Sequence, residues 1–171
     1  MLHLPGLAAV SRGERTTVNV FNTSLTLAST ARTEISDVTP LVKVAIQPFG
    51  ISTGMAVINT LHTTCALFIN EFQSALVEDL RALSERLVPD RNGYRHDDPR
   101  FSDCERGNAR AHLRAALLGR TLVVGVNNDD LTLGQFQSVI FAELDGPRRR
   151  EINIQVIGER GHRGAERTNA G

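Results

Sequence analysis

The chain has 171 residues, of which 41% are hydrophobic and 22% charged, so it has enough apolar residues for one folded domain and is not disordered throughout. Its 19 Lys and Arg residues balance 19 Asp and Glu residues, so it lacks the basic excess that favours binding to nucleic acid or to a membrane surface. No apolar run approaches the ~20 residues that a membrane span needs.

The N-terminal half contains two predicted strands and one short helix before a third strand. We interpret residues 1–14 as a flexible leader, residues 15–158 as one domain, and residues 159–171 as a polar, Gly-rich, disordered tail. The segments TTVNV and SLTLAS alternate polar and apolar residues, which is typical of half-buried strands. Asp37 is placed to cap a short helix over residues 38–46, and MAVINTLH then predicts a strand rich in β-branched residues.

A long helix is predicted from about Cys65 to Leu87, directly after the triplet HTT. Its core-facing stripe would consist of Phe72, Leu76, Leu80, Leu83 and Leu87. Thr63 or Thr64 would cap this helix, with His62 beside them. The free N–H groups of a first helical turn attract anions, so the triplet is either an ordinary cap or one wall of a phosphate or carboxylate site.

The C-terminal half predicts a second helix and then an antiparallel meander. The helix runs from about Asn108 to Leu118, and Gly119 is placed to end it. Its buried side would consist of Ala109, Leu113, Ala116 and Leu117. Strands are predicted at TLVVGV, at LTLGQFQSVIFAEL with a bulge or a point of close approach at Gly134, and at REINIQVIG with Ile152, Ile154 and Val156 inward. The fold class is therefore α+β, with two to three helices on an antiparallel or mixed sheet in a single compact domain.

Two cysteines, Cys65 and Cys104, are too few for a disulfide scaffold, and neither belongs to a CxxC pair. We expect two reduced, partly buried thiols and a cytoplasmic protein.

Candidate metal ligands come from histidines and from a loop rich in carboxylates. His62, His96 and His112 each lie in a polar cluster, but no short spacing joins them, so three separate elements would have to form the site. Oxygen ligands alone would favour Mg²⁺, and added imidazoles would favour Zn²⁺ or another transition ion. The oxygen donors are Glu71, Asp97, Asp98 and Asp103. These carboxylates can equally be loop residues that bond backbone amides.

Three consecutive arginines, Arg148 to Arg150, stand at the entry of the last predicted strand. Consecutive strand residues face opposite ways, so one or two of the three can converge on a site. Guanidinium groups bind phosphate bidentately. The alternative is a solvated strand edge.

The order of several short segments resembles the YjbQ-type family, also called the secondary thiamine-phosphate synthase family. The segments are HTTCALFINE, ED, YRHDD, the D before NARAHL, LLG, LTLGQFQ and ELDGPRRREINIQ, and together they span about Val18 to Gly158. Phe136 departs from the pattern because the family usually has Trp there. Asp130 stands where a turn glycine is common, and Arg110 occupies a variable place that is often His.

This resemblance implies an α+β fold assembled as a homotrimer, with sites near the subunit interfaces. It implies a polar pocket around His62, His96, Asp103, Asn108 and His112, often with a metal ion or an anion bound. It also implies a weak thiamine-phosphate synthase activity, which joins a pyrimidine diphosphate to a thiazole phosphate and releases pyrophosphate.

Residues and resemblance together predict an enzyme that acts on a small phosphorylated metabolite, with neither nucleic acid nor membrane as a partner. The predicted catalytic residues are His62, Asp103 and His112, with His62 or His112 as the general acid. A divalent ion, Mg²⁺ or Zn²⁺, is predicted at His62, His96 and His112. The predicted substrate-binding residues are Thr63, Thr64, Glu71, Asn108, Arg149 and Arg150. Two alternatives remain: a trimeric metal- or phosphometabolite-binding protein without turnover, and a metal-dependent hydrolase.

Overall fold

The computed structural model describes residues 17–91 and 93–161, so the predicted leader and residues 162–171 of the predicted tail lie outside the described residues. Within the described residues the elements are β1 Asn19–Ala28, β2 Glu34–Asp37, α1 Thr39–Ile46, β3 Ile51–Thr60, β4 Cys65–Asn70, α2 Ser74–Leu87, α3 Ala109–Leu118, β5 Thr121–Asn127, β6 Asp130–Leu131, β7 Ser138–Glu143 and β8 Arg149–Arg160. Short 3₁₀ turns occupy Gln47–Phe49 and Arg95–Asp97.

Two antiparallel sheets form the framework. One has the strand order β1-β8-β3-β5-β6, and the other has the order β2-β7-β4. Between them lies the main core, which contains Val42 of α1, Ile58 and Ile154 of the larger sheet, and Leu67 and Phe141 of the smaller one. The α+β prediction is therefore confirmed.

Helix α3 packs on the smaller sheet through small side chains. Ala111 and Ala115 of the helix contact Ala66 of β4 and Ala142 of β7 in a second buried cluster. Alanine side chains let the helix backbone approach the strands closely, which places the first turn of α3 beside the ends of β4 and β7.

The prediction of a long helix from Cys65 is wrong for its first nine residues. CALFIN forms β4, which pairs with β7 from Cys65 opposite Glu143 to Asn70 opposite Ser138. Helix α2 begins only at Ser74, and the Gln73 side chain accepts a hydrogen bond from the Leu76 N–H at 2.8 Å. A short apolar run that is buried as a strand has no periodicity to distinguish it from a buried helix. Thr63 and Thr64 therefore do not cap a helix, and the predicted anion site at a helix start is not formed there.

The predicted buried faces of α2 and α3 are wrong in part, although Ala109 is buried as predicted and Leu76 and Leu80 are half-buried. Phe72 precedes α2 and is exposed, and Leu83 and Leu87 are exposed on the helix, whereas Val77 is buried. On α3, the exposed side carries Leu113 and Leu117, and the buried residues are Ala109, Arg110, Ala111, Arg114 and Ala115. The alanine-rich sheet beneath α3 accepts small residues, so the leucines are left outside.

Two arginines of α3 are buried because they share one carboxylate in the loop after α2. Arg110 Nε lies 3.1 Å and Arg114 Nη2 lies 2.8 Å from Asp90 Oδ1. Arg114 also donates to the Val88 carbonyl at 2.7 Å. These contacts join the segment after α2 to α3 through hydrogen bonds and ion pairs.

Strand boundaries differ from the prediction in three places. TTVNV and SLTLAS belong largely to the single strand β1. The strand predicted over residues 131–144 is divided into β6 and β7 by a turn in which the Gln137 N–H donates to the Gly134 carbonyl at 2.9 Å, so Gly134 is a turn residue and not a bulge. Strand β8 continues to Arg160, which places residues 159 and 160 in the sheet and not in the tail.

Other local predictions agree with the structure. Helix α1 forms close to its predicted range, although Val38 and not Asp37 is its N-cap; Asp37 Oδ1 accepts a hydrogen bond from the Thr39 N–H at 2.8 Å just before the helix. In the NNDD turn, Asn128 and Asp129 have φ angles of 49° and 62°, a conformation that Asn and Asp tolerate. Ile152, Ile154 and Val156 are fully buried. Both cysteines are free thiols, and burial raises the pKa of Cys65 to about 12, so this thiol stays protonated.

Among residues 17–91 and 93–161, no helix is both long and apolar enough to cross a membrane.

Candidate functional site

A cleft of about 280 Å³ opens between the β3–β4 turn, the start of α3 and the start of β8. Its lining contains six of the predicted site residues: His62, Thr63, Thr64, Asn108, His112 and Arg150. Four further residues complete it: Leu61, Arg106, Asp145 and Arg148. The β4–β7 pairing and the packing of α3 bring these distant parts of the chain together.

A buried ion pair lies behind the lining of the cleft: Arg150 lines the cleft, and its partner Glu143 does not. Arg150 donates from Nε to Glu143 Oε2 at 2.6 Å and from Nη2 to Glu143 Oε1 at 2.7 Å. The same Nη2 donates to Thr64 Oγ1 at 2.9 Å, which orients the threonine that was predicted to be a helix cap. Glu143 is fully buried and also accepts a hydrogen bond from the Asp145 N–H. The carboxylate raises the pKa of Arg150 further, so this guanidinium remains charged and fixed.

Asp145 connects the three walls of the cleft. Its Oδ2 accepts from Asn108 Nδ2 at 2.9 Å and from Arg148 Nη2 at 3.0 Å. Arg106 Nη1 lies 3.8 Å from the same oxygen. Arg148 Nε also donates to the Asp145 carbonyl at 2.8 Å, so the turn after β7 holds both the start of α3 and the first residues of β8.

His62 is held by the backbone of β8. The Glu151 N–H donates to His62 Nε2 at 3.0 Å. An acceptor nitrogen carries no proton, so the imidazole is in the tautomer with its proton on Nδ1. This contact fixes the ring at the edge of the cleft.

His112 forms a pair with His96 on the other side of the cleft. The two ring centroids are 5.0 Å apart and the planes meet at 85°. Burial lowers the pKa of His112, and the neighbouring His96 lowers it further. His112 is therefore mainly neutral at pH 7 in the free protein.

A second cleft, of about 480 Å³, lies on the other side of His112. It is lined by Tyr94, Arg95, His96, Ala109, His112 and Leu113. His96 therefore belongs to this cleft and not to the first one.

Besides His96, three further predicted site residues do not line the first cleft. Arg149 is exposed because β8 alternates, which turns Arg150 inward and Arg149 outward. Glu71 follows β4 and is exposed, and Asp103 is exposed in the loop before α3. The loop carboxylates Asp97 and Asp98 bond backbone amides: Asp97 accepts from the Ala109 N–H at 2.8 Å and Asp98 from the Arg100 N–H at 2.9 Å.

The predicted histidine triad is not assembled within one chain. In the part of the chain that the structure describes, no three His, Cys, Asp or Glu side chains form a group that could hold a metal ion. His96 and His112 are adjacent, but His62 does not join them in such a group. The described residues of a single chain therefore do not fit the predicted metal site, and the divalent ion stays a prediction.

Arg106, Glu143 and Asp145 were not among the predicted site residues. The signal for the two carboxylates was the sequence ELDGP, in which acidic residues end an apolar strand just before the three arginines. Glu143 is fully buried at the end of this strand, and the pairing with Arg150 explains how a carboxylate can be buried there. Arg106 had no comparable signal in the sequence.

Comparisons with known proteins agree with this fold. The family model described as "UPF0047 protein YjbQ-like" matches residues 23–159. A UPF0047 protein of Archaeoglobus fulgidus is 41% identical over 133 residues, which is 78% of this chain and 98% of that protein. A UPF0047 protein of Methanothermobacter thermautotrophicus is 38% identical over 142 residues, which is 83% of this chain and 95% of that protein.

Solved structures give the same result. The crystal structure of a YbjQ-like protein of unknown function from Sulfolobus solfataricus matches with a TM-score of 0.77 and 29% identity, covering 84% of this chain and all of that one. A protein of the yjbq/upf0047 family from Clostridium acetobutylicum matches with a TM-score of 0.70 and 30% identity, covering 78% of this chain and 98% of that one. The chain therefore belongs to the YjbQ-like UPF0047 family.

Proposed function

We propose that the first cleft binds the phosphate groups of a small phosphorylated metabolite and catalyses a reaction of the thiamine-phosphate synthase type. In that reaction a pyrimidine diphosphate is joined to a thiazole phosphate, and pyrophosphate leaves. The observation that carries the proposal is the convergence of Arg106, Arg148 and Arg150 on a cleft in which Asp145 is the single lining carboxylate among the residues that the structure describes.

The charges of the cleft favour an anion. Glu143 lies beneath Arg150 and neutralises it in part, and Asp145 neutralises Arg148 in part. Within the described part of the chain, Arg106 makes a long contact with Asp145, at 3.8 Å, and its side chain is 55% exposed. It is therefore the guanidinium that can turn most easily to a ligand, while Arg148 and Arg150 offer fixed positive charge.

The histidines can assist the departure of pyrophosphate. Because His62 Nε2 accepts from the Glu151 N–H, the Nδ1–H of the ring can donate a hydrogen bond to a ligand. An anion bound beside His112 favours the protonated imidazole, so diphosphate binding would raise the pKa that burial lowers in the free protein. His112 would then hold a proton for the leaving oxygen, and the arginines would stabilise the negative charge that develops on it.

The mechanism uses only residues of this chain. Because the described residues do not bring three metal ligands together, we assign no step to a metal ion. Asp103, which was predicted to be catalytic, has no part in this mechanism because its side chain does not line the cleft.

The test is a synthase assay of the purified protein with the pyrimidine diphosphate and the thiazole phosphate in the presence of Mg²⁺. The wild type should form thiamine phosphate, and Arg106→Ala should lose roughly tenfold or more of that activity, as expected for the loss of a charge-assisted contact to phosphate. Arg149→Ala is the matched control, because Arg149 is also an exposed arginine but lies outside the cleft.

The other outcomes separate the alternatives. Ligand binding without product over a long incubation would contradict turnover and favour a phosphometabolite-binding protein. Release of inorganic phosphate from generic esters would favour the hydrolase. Absence of both binding and product, or equal losses in the two arginine variants, would overturn the assignment of the cleft.

A further inference from the structure

The second cleft is lined mainly by apolar and aromatic surface, in contrast to the charged first cleft. Tyr94, Ala109 and Leu113 contribute to its walls, together with the rings of His96 and His112. Its volume of about 480 Å³ lies within the range of roughly 300–1,000 Å³ that is usual for small-molecule sites.

One face of α3 serves both clefts. Ala109, His112 and Leu113 are spaced by three and four residues, so they share a side of the helix. Asn108 and His112 line the first cleft, and Ala109, His112 and Leu113 line the second. His112 therefore lies between the two clefts and lines both of them. The first cleft is charged and the second is apolar.

We propose that the second cleft holds the uncharged aromatic ring of the same ligand whose phosphate group occupies the first cleft. This inference rests on the proposed function. It adds where the ring of the ligand binds, and it adds which ligands are preferred: phosphate esters of planar rings over phosphate esters of small aliphatic groups. Leu113 and Tyr94 would be the residues that determine this preference.

The side chains of the second cleft fit a flat, apolar group. The His96 and His112 rings meet edge to face, which leaves an aromatic surface that another ring can pack against. Leu113 is 44% exposed in the described chain, so a ligand ring can cover its remaining apolar surface. Ala109 has only a methyl group and leaves room in the cleft near the start of the helix.

The experiment compares the affinities of inorganic phosphate, methyl phosphate and phenyl phosphate by calorimetric titration of the full chain. For the wild type we expect phenyl phosphate to bind roughly tenfold more tightly than methyl phosphate, because burial of one ring in an apolar cleft is worth about that factor after ordering costs. Leu113→Gln should remove most of this difference and leave the affinity for methyl phosphate unchanged.

Leu117→Gln is the matched control. Leu117 lies one turn further along α3, is 65% exposed and does not line the second cleft. The same substitution there should leave all three affinities as in the wild type. Unchanged binding of methyl phosphate also verifies that each variant is folded.

The outcomes distinguish this inference from the proposed function. Equal affinities for methyl and phenyl phosphate would overturn the ring compartment and leave the phosphate cleft intact. A preference for phenyl phosphate that both leucine variants reduce equally would overturn its location at Leu113. Binding of none of the three probes would overturn the proposed function and this inference together.

Discussion

Individual side chains of the first cleft owe their chemistry to partners that are distant in the chain. His62 is fixed by a backbone N–H of β8, and Thr64 is oriented by Arg150, which is 86 residues away. The residue types and six of the positions could be predicted from the sequence, because histidines, threonines and arginines in polar clusters are unusual within apolar segments. Their partners could not be predicted, since Glu143 and Asp145 gain their roles only where β7 ends beside β8 and α3.

A prediction for a single side chain concerns the pKa of His112. Because burial and His96 lower its pKa, the midpoint measured by NMR titration should lie below the ordinary value of 6.5. His96→Ala removes both the neighbouring charge and part of the cover, so the midpoint should rise towards 6.5. His62→Ala is the control and should leave it unchanged.

The lowered pKa of His112 also determines how pH changes the stability of the fold. The unfolded chain takes up the His112 proton at a higher pH than the folded chain does. This group therefore contributes stability above pH 6.5 that is lost as the pH falls through the lowered folded value. A wild-type midpoint above 6.5 would contradict this account of His112.

The packing of each helix or strand against its neighbours explains both the successes and the errors of the secondary-structure prediction. Strands with strict alternation, such as β1 and β8, could be predicted because one of their faces is more buried than the other. The strand β4 could not, because Cys65, Ala66 and Leu67 are all buried, and a uniformly apolar run has no period. The buried side of α3 depends on the alanines of the sheet beneath it, which the helix sequence alone does not contain.

The ion pair of Arg150 and Glu143 joins the larger sheet, through β8, to the smaller sheet, through β7. Arg150→Ala would leave the carboxylate of Glu143 buried without its cation. We expect the free energy of unfolding to fall by about 3–5 kcal/mol, the usual cost of breaking a buried ion pair.

Arg149→Ala is the matched control for this measurement by urea unfolding. Arg149 is the exposed neighbour on the same strand, so its loss should change the free energy of unfolding by no more than about 0.5 kcal/mol. Similar losses in the two variants would show that the buried pair does not stabilise the contact between the sheets.

On the scale of the whole molecule, several large apolar side chains of the single chain are exposed to solvent. They include Leu83 and Leu87 of α2, Leu117 of α3, and Met55 and Val123 of the larger sheet. Apolar surface of this kind often marks a protein–protein contact. It is compatible with the homotrimer that the family resemblance implies, which stays a prediction.

Light scattering after size exclusion tests the assembly directly. We expect a mass of three times that of the chain, unchanged on dilution across the micromolar range. A mass equal to a single chain at every concentration would contradict the trimer, and a dimer would do so equally.

The sequence by itself determined the family, the α+β class, the alternating strands and the kinds of side chain that the site contains. These are local or ordered along the chain, so periodicity, composition and the succession of motifs are enough to reveal them. Only the tertiary structure decided that His62-Thr63-Thr64 joins two strands, that Arg150 and not Arg149 faces inward, and that His112 lies between two clefts. Each of these depends on strand register and helix packing, which bring together residues far apart in the chain and are therefore invisible in any short segment of it.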